Sequence, residues 1–329
     1  MTPLHLAVHG RDLQTIKLLM SAGANCLIKD KSGFTPAHLA AESAYGDALK
    51  LFIELPIREF YKTREGASLL HYIACWSDGP LVTKFIEEKR PLLNLGDKQK
   101  RTPLHYSAVA NNGPAAKALL LRGAEANQRD QNGRTALHDA LRRGATEIFK
   151  ILLEYGADVS NRDNFSQSCL QLSTRYGHTS LSRLMLDLNP KINSGDIFSM
   201  TPLHRACASG DASFVRTLLD LGADWQRRDH TFQTPLDKAV AWGRITVVYV
   251  FIDWLEGSQS GTTTVRQGLI DSALDIAIGE EYHRIETILK KSGAKPTGKP
   301  IKPWRPYTPE DVRSNYWPLT QVTTTYSLN

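Results

Sequence analysis

The sequence predicts an all-α fold, a solenoid of stacked helix-turn-helix units joined by short hairpin fingers. Three observations carry this. One motif opening on Thr or Ser recurs at Thr2, Thr35, Ser68, Thr102, Thr135, Ser168, Thr201, Thr234 and Ser272, a period of about 33 residues. Each copy holds two stretches with apolar residues at helical spacing. Most copies are closed by a turn-forming glycine, as at Gly23, Gly123, Gly156 and Gly222.

The copy beginning at Thr201 shows how each element is built. The Thr201 hydroxyl can cap a helix N-terminus. Pro202 takes the first helical position, where its missing N–H is harmless. Leu203, Ala206 and Cys207 make a narrow apolar stripe. Gly210 punctuates, and Phe214, Val215, Leu218 and Leu219 define a second helix. Gly222 can turn left-handed past its end.

Between helix pairs lie short hairpins such as Asp30-Lys31-Ser32-Gly33 and Asp130-Gln131-Asn132-Gly133. The glycine at the fourth place suits positive φ. Four hairpins carry Lys100, Ser166, Ser199 and Phe232 there, so they either change turn type or carry strain. Pro56, Pro91 and the Asn189-Pro190 pair replace the usual Gly-Ala-Asp closure. They stop the second helix and are expected to bend the stack.

The threonine-proline-leucine-histidine opening, seen at Thr2-Pro3-Leu4-His5, Arg101-Thr102-Pro103-Leu104-His105 and Thr201-Pro202-Leu203-His204, resembles the ankyrin repeat, as does Thr135-Ala136-Leu137-His138. The resemblance covers about nine repeats over residues 1–295, leaving a proline-rich basic tail at 296–329. It implies that each recurrent histidine (His5, His38, His71, His105, His138 and His204) hydrogen-bonds with the threonine or serine of its own turn. Neighbouring copies would lie roughly 10 Å apart, too far to share a zinc ion. His178 and His230 are expected to be solvated loop residues.

The eighth repeat departs from the pattern. Its second helix, from Ile245 to Leu255, is apolar nearly all round, with Tyr249 and Trp254 at places polar elsewhere. Such a helix expects cover. The long connection that follows, Glu256 to Asp271, is rich in Gly, Ser and Thr and is expected to be a flexible loop. In the tail, Pro300, Pro303, Pro306 and Pro309 recur every third residue, a polyproline II period. That segment suits a strap laying Trp304 and Tyr307 over the last repeats, or a docking peptide for a proline-recognising domain. At the other end, Met1 runs straight into a full repeat with no polar capping repeat, so the natural chain is expected to begin further upstream.

Chemistry is excluded more readily than it is found. No G-x-S-x-G, P-loop, H-E-x-x-H or G-x-G-x-x-G pattern is present. Cys26, Cys75, Cys169 and Cys207 form no C-x-x-C pair, which points to reduced thiols in the cytoplasm or nucleus. The net charge of +6 is modest for a dedicated nucleic-acid binder. No cofactor, metal, membrane insertion or catalysis is expected, and the chain is expected to be a monomer.

The resemblance implies that partners are held by the hairpin tips and the ends of the first helices. In this register those places hold Trp76, Arg101, Arg134, Arg142, Arg143, Phe165, Arg175, Tyr176, Phe198 and Trp242. The acidic residues of the set, Glu42, Glu65, Asp271 and Glu280, fall toward the two ends. The middle of the groove should therefore be basic, with an aromatic half on its C-terminal side. This predicts a protein-interaction scaffold or adaptor taking an acidic segment with apolar anchors. A nucleic-acid or phosphorylated-ligand module is the second expectation, and the regulatory arm of a larger enzyme the third.

Overall fold

Proline, threonine and histidine set where every first helix begins. In a computed structural model of the chain, residues 1–55, 62–188, 190–258 and 261–298 are described. Among these residues there are eighteen α-helices. The first helices of the successive pairs are α1 (Pro3–His9), α3 (Pro36–Glu42), α5 (Leu69–Trp76), α7 (Pro103–Val109), α9 (Ala136–Arg143), α11 (Cys169–Arg175), α13 (Pro202–Ser209), α15 (Pro235–Ala241) and α17 (Thr263–Gly279). The second helices are α2 (Leu13–Ser21), α4 (Gly46–Glu54), α6 (Gly79–Lys89), α8 (Gly113–Leu121), α10 (Thr146–Glu154), α12 (Thr179–Leu186), α14 (Ala212–Asp220), α16 (Ile245–Gly257) and α18 (His283–Lys291).

Each pair packs against the next. The first helices form one unbroken row, α1 on α3 through α15 on α17. They bring small residues to the seam, among them Ala40, Ala140, Ala206 and Ala239, all fully buried. The second helices bring the bulk, with Phe52, Phe149, Phe214 and Phe251 buried. Their row is continuous from α2 to α10 and from α14 to α18 but thins at α12, whose main contact is α11. The reason is chemical. Ser182 of α12 stands where α10 has Phe149 and α14 has Val215, and its hydroxyl donates to Ser173 at 2.9 Å.

The capping network is more than a local cap. The Thr102 backbone N–H donates to His105 Nδ1 at 3.1 Å, and the hydroxyl of Thr102 lies 2.9 Å from the same nitrogen. His105 Nε2 then donates to the Arg134 carbonyl of the next hairpin at 3.0 Å. His5, His71 and His204 make the same cross-repeat bond to Phe34, Arg101 and Gln233. Burial holds His71, His138 and His204 at about 4 and His38 at about 3, so all four rings are neutral. At the sixth opening Gln171 replaces histidine and its amide donates to the Met200 carbonyl.

Asp237 replaces histidine at the eighth opening and reverses the bond. It can only accept, and the Ser272 hydroxyl donates to it at 3.3 Å. The reversal fits what lies beside it. Residues 263–271, expected to be loop, belong to α17, whose cap is Thr262 rather than Ser272. Val265, Leu269 and Ile270 have helical spacing, and Ala273 replaces the helix-opening proline, so nothing obliges a new start at Ser272. A continuous helix offers a side-chain hydroxyl where a hairpin would offer a carbonyl.

The hairpins keep one turn type throughout. Gly33, Gly66 and Gly133 have positive φ, and Lys100, Ser166, Ser199 and Phe232 adopt the same left-handed conformation with φ of 60, 56, 58 and 61°. The strain alternative is the one realised. In six of the seven hairpins an aspartate holds the turn, as Asp97 does by accepting from the backbone N–H of Gln99 and Arg101. Tyr249 of α16 is 63% exposed, whereas Trp254 packs edge-on to Trp225 and donates to Asp220. The expected strap, with Trp304, Tyr307 and the proline period from Pro300, lies outside the described residues, as do Pro56 and Asn189.

Candidate functional site: the groove and its hairpin rim

The row of first helices presents its C-terminal ends along one line. The eighth residue after each opening is Trp76, Arg143, Tyr176 or Trp242 in four of the repeats. Trp76 and Trp242 are 37% and 39% exposed, and Arg143 is exposed. Tyr176 is half-buried because the Arg142 guanidinium lies over its ring, 5.7 Å from the centroid. Arg175, beside it, is half-buried.

Not every expected arginine lines the groove. The Arg134 side chain is only 3% exposed and faces the Asp163 carboxylate of the next hairpin at 3.7 Å. Arg101 reaches back to Asp97 at 2.7 Å and lies over the Tyr106 ring at 4.8 Å. Both act inside the stack, because a hairpin aspartate that has given one oxygen to its turn still has a second to neutralise. Arg142 pairs with Asp139 at 3.3 Å. The groove centre is therefore less basic than expected, since Arg101, Arg134 and Arg142 each face a carboxylate of the stack.

His178 also departs from expectation. It donates from Nε2 to the Arg142 carbonyl at 3.0 Å, closing the end of α9. Gly144 follows in the left-handed conformation, and a Cβ there would lie 2.7 Å from the His178 ring.

The register reading missed the fourth residue after each helix cap. Tyr72 and Tyr106 continue a ladder from Phe34, with ring centroids 5.1 and 6.3 Å apart. Asp139 follows, then Arg205 and Lys238, bound to Asp196 at 2.6 Å and Asp229 at 2.7 Å. The signal was available: Asp97, Asp196 and Asp229 each lie nine residues before the Tyr106, Arg205 or Lys238 that meets them. Burial, with Asp30 nearby, pushes the Glu42 carboxyl up to about 7.

On the hairpin rim, each finger bonds to the next through one backbone link, such as Ile197 N–H to Phe165 carbonyl at 3.1 Å and His230 N–H to Phe198 carbonyl at 3.0 Å. The tips are charged or polar in the N-terminal half, with Lys31, Arg64 and Lys98. In the C-terminal half they hold Phe165, Ile197 and Phe198, with Phe165 and Phe198 half-buried and Ile197 exposed.

The four cysteines are free thiols. Burial pushes Cys75 and Cys169 up to about 12, the opposite of an activated nucleophile. Among the described residues no group of three or more His, Cys, Asp or Glu could hold a metal ion. No helix there is long and apolar enough to cross a membrane.

A two-row helical stack with an exposed, ligand-sized lining and a rim of fingers defines the class of repeat solenoids that act through surfaces. The ankyrin repeat model matches three times, over residues 1–64, 70–163 and 170–264. The chain belongs to the ankyrin repeat family. An ankyrin repeat protein of fowlpox virus is 31% identical over 138 residues, 40% of this chain and 69% of that one. The B-cell lymphoma 3 protein homolog of Mus musculus is 30% identical over 134 residues, covering 38% of this chain and 29% of that protein. The transient receptor potential cation channel subfamily A member 1 of Drosophila melanogaster is 29% identical over 129 residues. That match covers 39% of this chain and only 8% of the channel. Ankyrin repeats are in general modules of protein–protein interaction.

Proposed function

We infer that the chain is an interaction scaffold whose groove holds an acidic segment of a partner protein carrying apolar side chains. One observation carries the reading. Trp76, Arg143, Tyr176 and Trp242 share a single register line along the first-helix ends. Aromatic residues and arginine are the groups enriched at binding hot spots. Arg143 and Arg175 supply charge, with a planar fork suited to carboxylate. Trp76 and Trp242 supply apolar contact on either side. Phe165 and Phe198 extend that contact onto the rim.

The test is a charge reversal, Arg143→Glu with Arg175→Glu, which leaves the structural pairs of Arg101, Arg134 and Arg142 alone. Binding of peptides selected on the intact chain should lose association rate and become less sensitive to salt. An unchanged rate and salt dependence would remove the groove from the reading. A steep general loss of affinity with salt, with retention on a polyanion, would favour the nucleic-acid alternative instead.

A further inference from the structure

Phe232 is the most exposed large apolar side chain among the described residues, at 76%. It also holds a left-handed backbone, φ 61°. For a residue with a Cβ that conformation costs about 1–2 kcal/mol. A glycine fills the same place in three other hairpins at no such cost. Here a bulky ring occupies a strained position and buries almost nothing.

The surroundings are fixed and cationic. Asp229 holds the turn by accepting from the Thr231 and Gln233 backbone. Lys238 neutralises its second oxygen at 2.7 Å. Arg228 donates from its guanidinium to the Phe232 carbonyl at 2.8 Å. Arg227, Arg228 and His230 on this hairpin are all exposed.

Position in the row supplies the second observation. Every earlier finger accepts a backbone N–H from the next: Ser32, Glu65, Gln99, Asn132, Phe165 and Phe198 each use their carbonyl this way. Thr231 holds the equivalent place on the last finger. Among the described residues nothing donates to its carbonyl. The cause is α17, which runs on as a helix where another hairpin would otherwise stand. Among the described residues the finger row ends here in an open edge, and Phe232 stands on it.

We propose that this open edge takes an extended segment of a partner protein as the next finger. The segment donates a backbone N–H to the Thr231 carbonyl, lays an apolar side chain on Phe232, and places carboxylates against Arg227 and Arg228. Addition of a strand-like segment to an exposed backbone edge is a general mode of peptide capture. This rests on the reading of the chain as a protein-binding solenoid, and moves the anchor from the groove floor to the last finger.

The probe is a random dodecapeptide library displayed on phage and selected on the intact chain. Selected peptides are then measured against Phe232→Gly, Phe232→Tyr and the Arg143→Glu, Arg175→Glu pair. The expected result is peptides that combine Asp or Glu with a large apolar residue. Phe232→Gly should weaken them at least tenfold, about 1.4 kcal/mol, while its unfolding midpoint does not fall. Phe232→Tyr, which keeps the ring, should keep the affinity. Loss of binding in the groove pair with none in Phe232→Gly overturns the open-edge proposal and leaves the groove reading standing. Selected peptides indifferent to every variant, or no selected peptides, overturn both.

Discussion

The thin joint at α12 yields a prediction whose size follows from two side chains. Ser173 and Ser182 are fully buried, and their hydroxyls bond to each other at 2.9 Å. Neighbouring repeats hold Ala140 and Ala206 at the first register and Phe149 and Val215 at the second. Replacing Ser173→Ala with Ser182→Val removes both partners of the bond together, a change close to neutral. Valine replaces the hydroxyl with one methyl and adds another. At about 0.8 kcal/mol per buried methylene-sized group, that gives about 1.6 kcal/mol of added stability. α12 packs mainly on α11 and only weakly on α10 and α14. Urea unfolding followed by circular dichroism should show a higher midpoint. Amide exchange across Thr179–Leu186 should slow about tenfold, since 1.4 kcal/mol is one decade. A double variant that is no more stable than the parent, or less, refutes the argument that this joint is weak for want of apolar contact.

Two further expectations concern the caps and the turns. The four histidines held well below 6.5 bind fewer protons folded than unfolded, so stability is complete above 6.5 and falls as pH drops toward 4. The loss builds progressively through that window as each ring is forced to take up a proton. Glu42, raised to about 7, runs the other way as one group against four. The urea midpoint at pH 5.5 should lie clearly below that at pH 7.5, and equal midpoints would contradict the neutral-ring assignment. Among the turns, Lys100→Gly or Ser199→Gly should raise the thermal midpoint. Relief of left-handed strain of about 1–2 kcal/mol exceeds the roughly 0.5–1 kcal/mol entropic cost of glycine. Gly33→Ala should lower it, since its Cβ would lie 2.8 Å from the Arg64 backbone nitrogen.

The helix starts were legible because they depend on neighbours in the chain. Thr2, Thr35, Ser68, Thr102, Thr135, Ser168, Thr201 and Thr234 are all helix caps, as a hydroxyl three residues before a buried histidine, glutamine or aspartate dictates. The ninth start failed at Ser272 for a reason also written locally. Without a proline behind it, and with Thr262 available as a cap, the helix simply began earlier. What the chain alone could not supply was direction. Arg134 and Arg143 read alike by register, yet one points into the next hairpin and the other to solvent. That choice depends on Asp163, a full repeat away.

The hairpin aspartates therefore decide how much of the chain's positive charge is available to a partner. Each spends one oxygen on two backbone N–H groups of its own turn, and a buried second oxygen requires a donor. Asp97, Asp196 and Asp229 obtain it from Arg101, Arg205 and Lys238, while Asp163 has the Arg134 guanidinium facing it at 3.7 Å. Arg101 and Arg134, which a register count assigns to the binding face, are thereby engaged within the fingers, as are Arg205 and Lys238. Among the cations outside these pairs, Arg143 at the end of α9 and Arg227 on the last finger are exposed. The proposed partner surface therefore draws on fewer cations than register alone assigns, and its apolar share comes from Phe165, Ile197 and Phe198 on the fingertips of the C-terminal half.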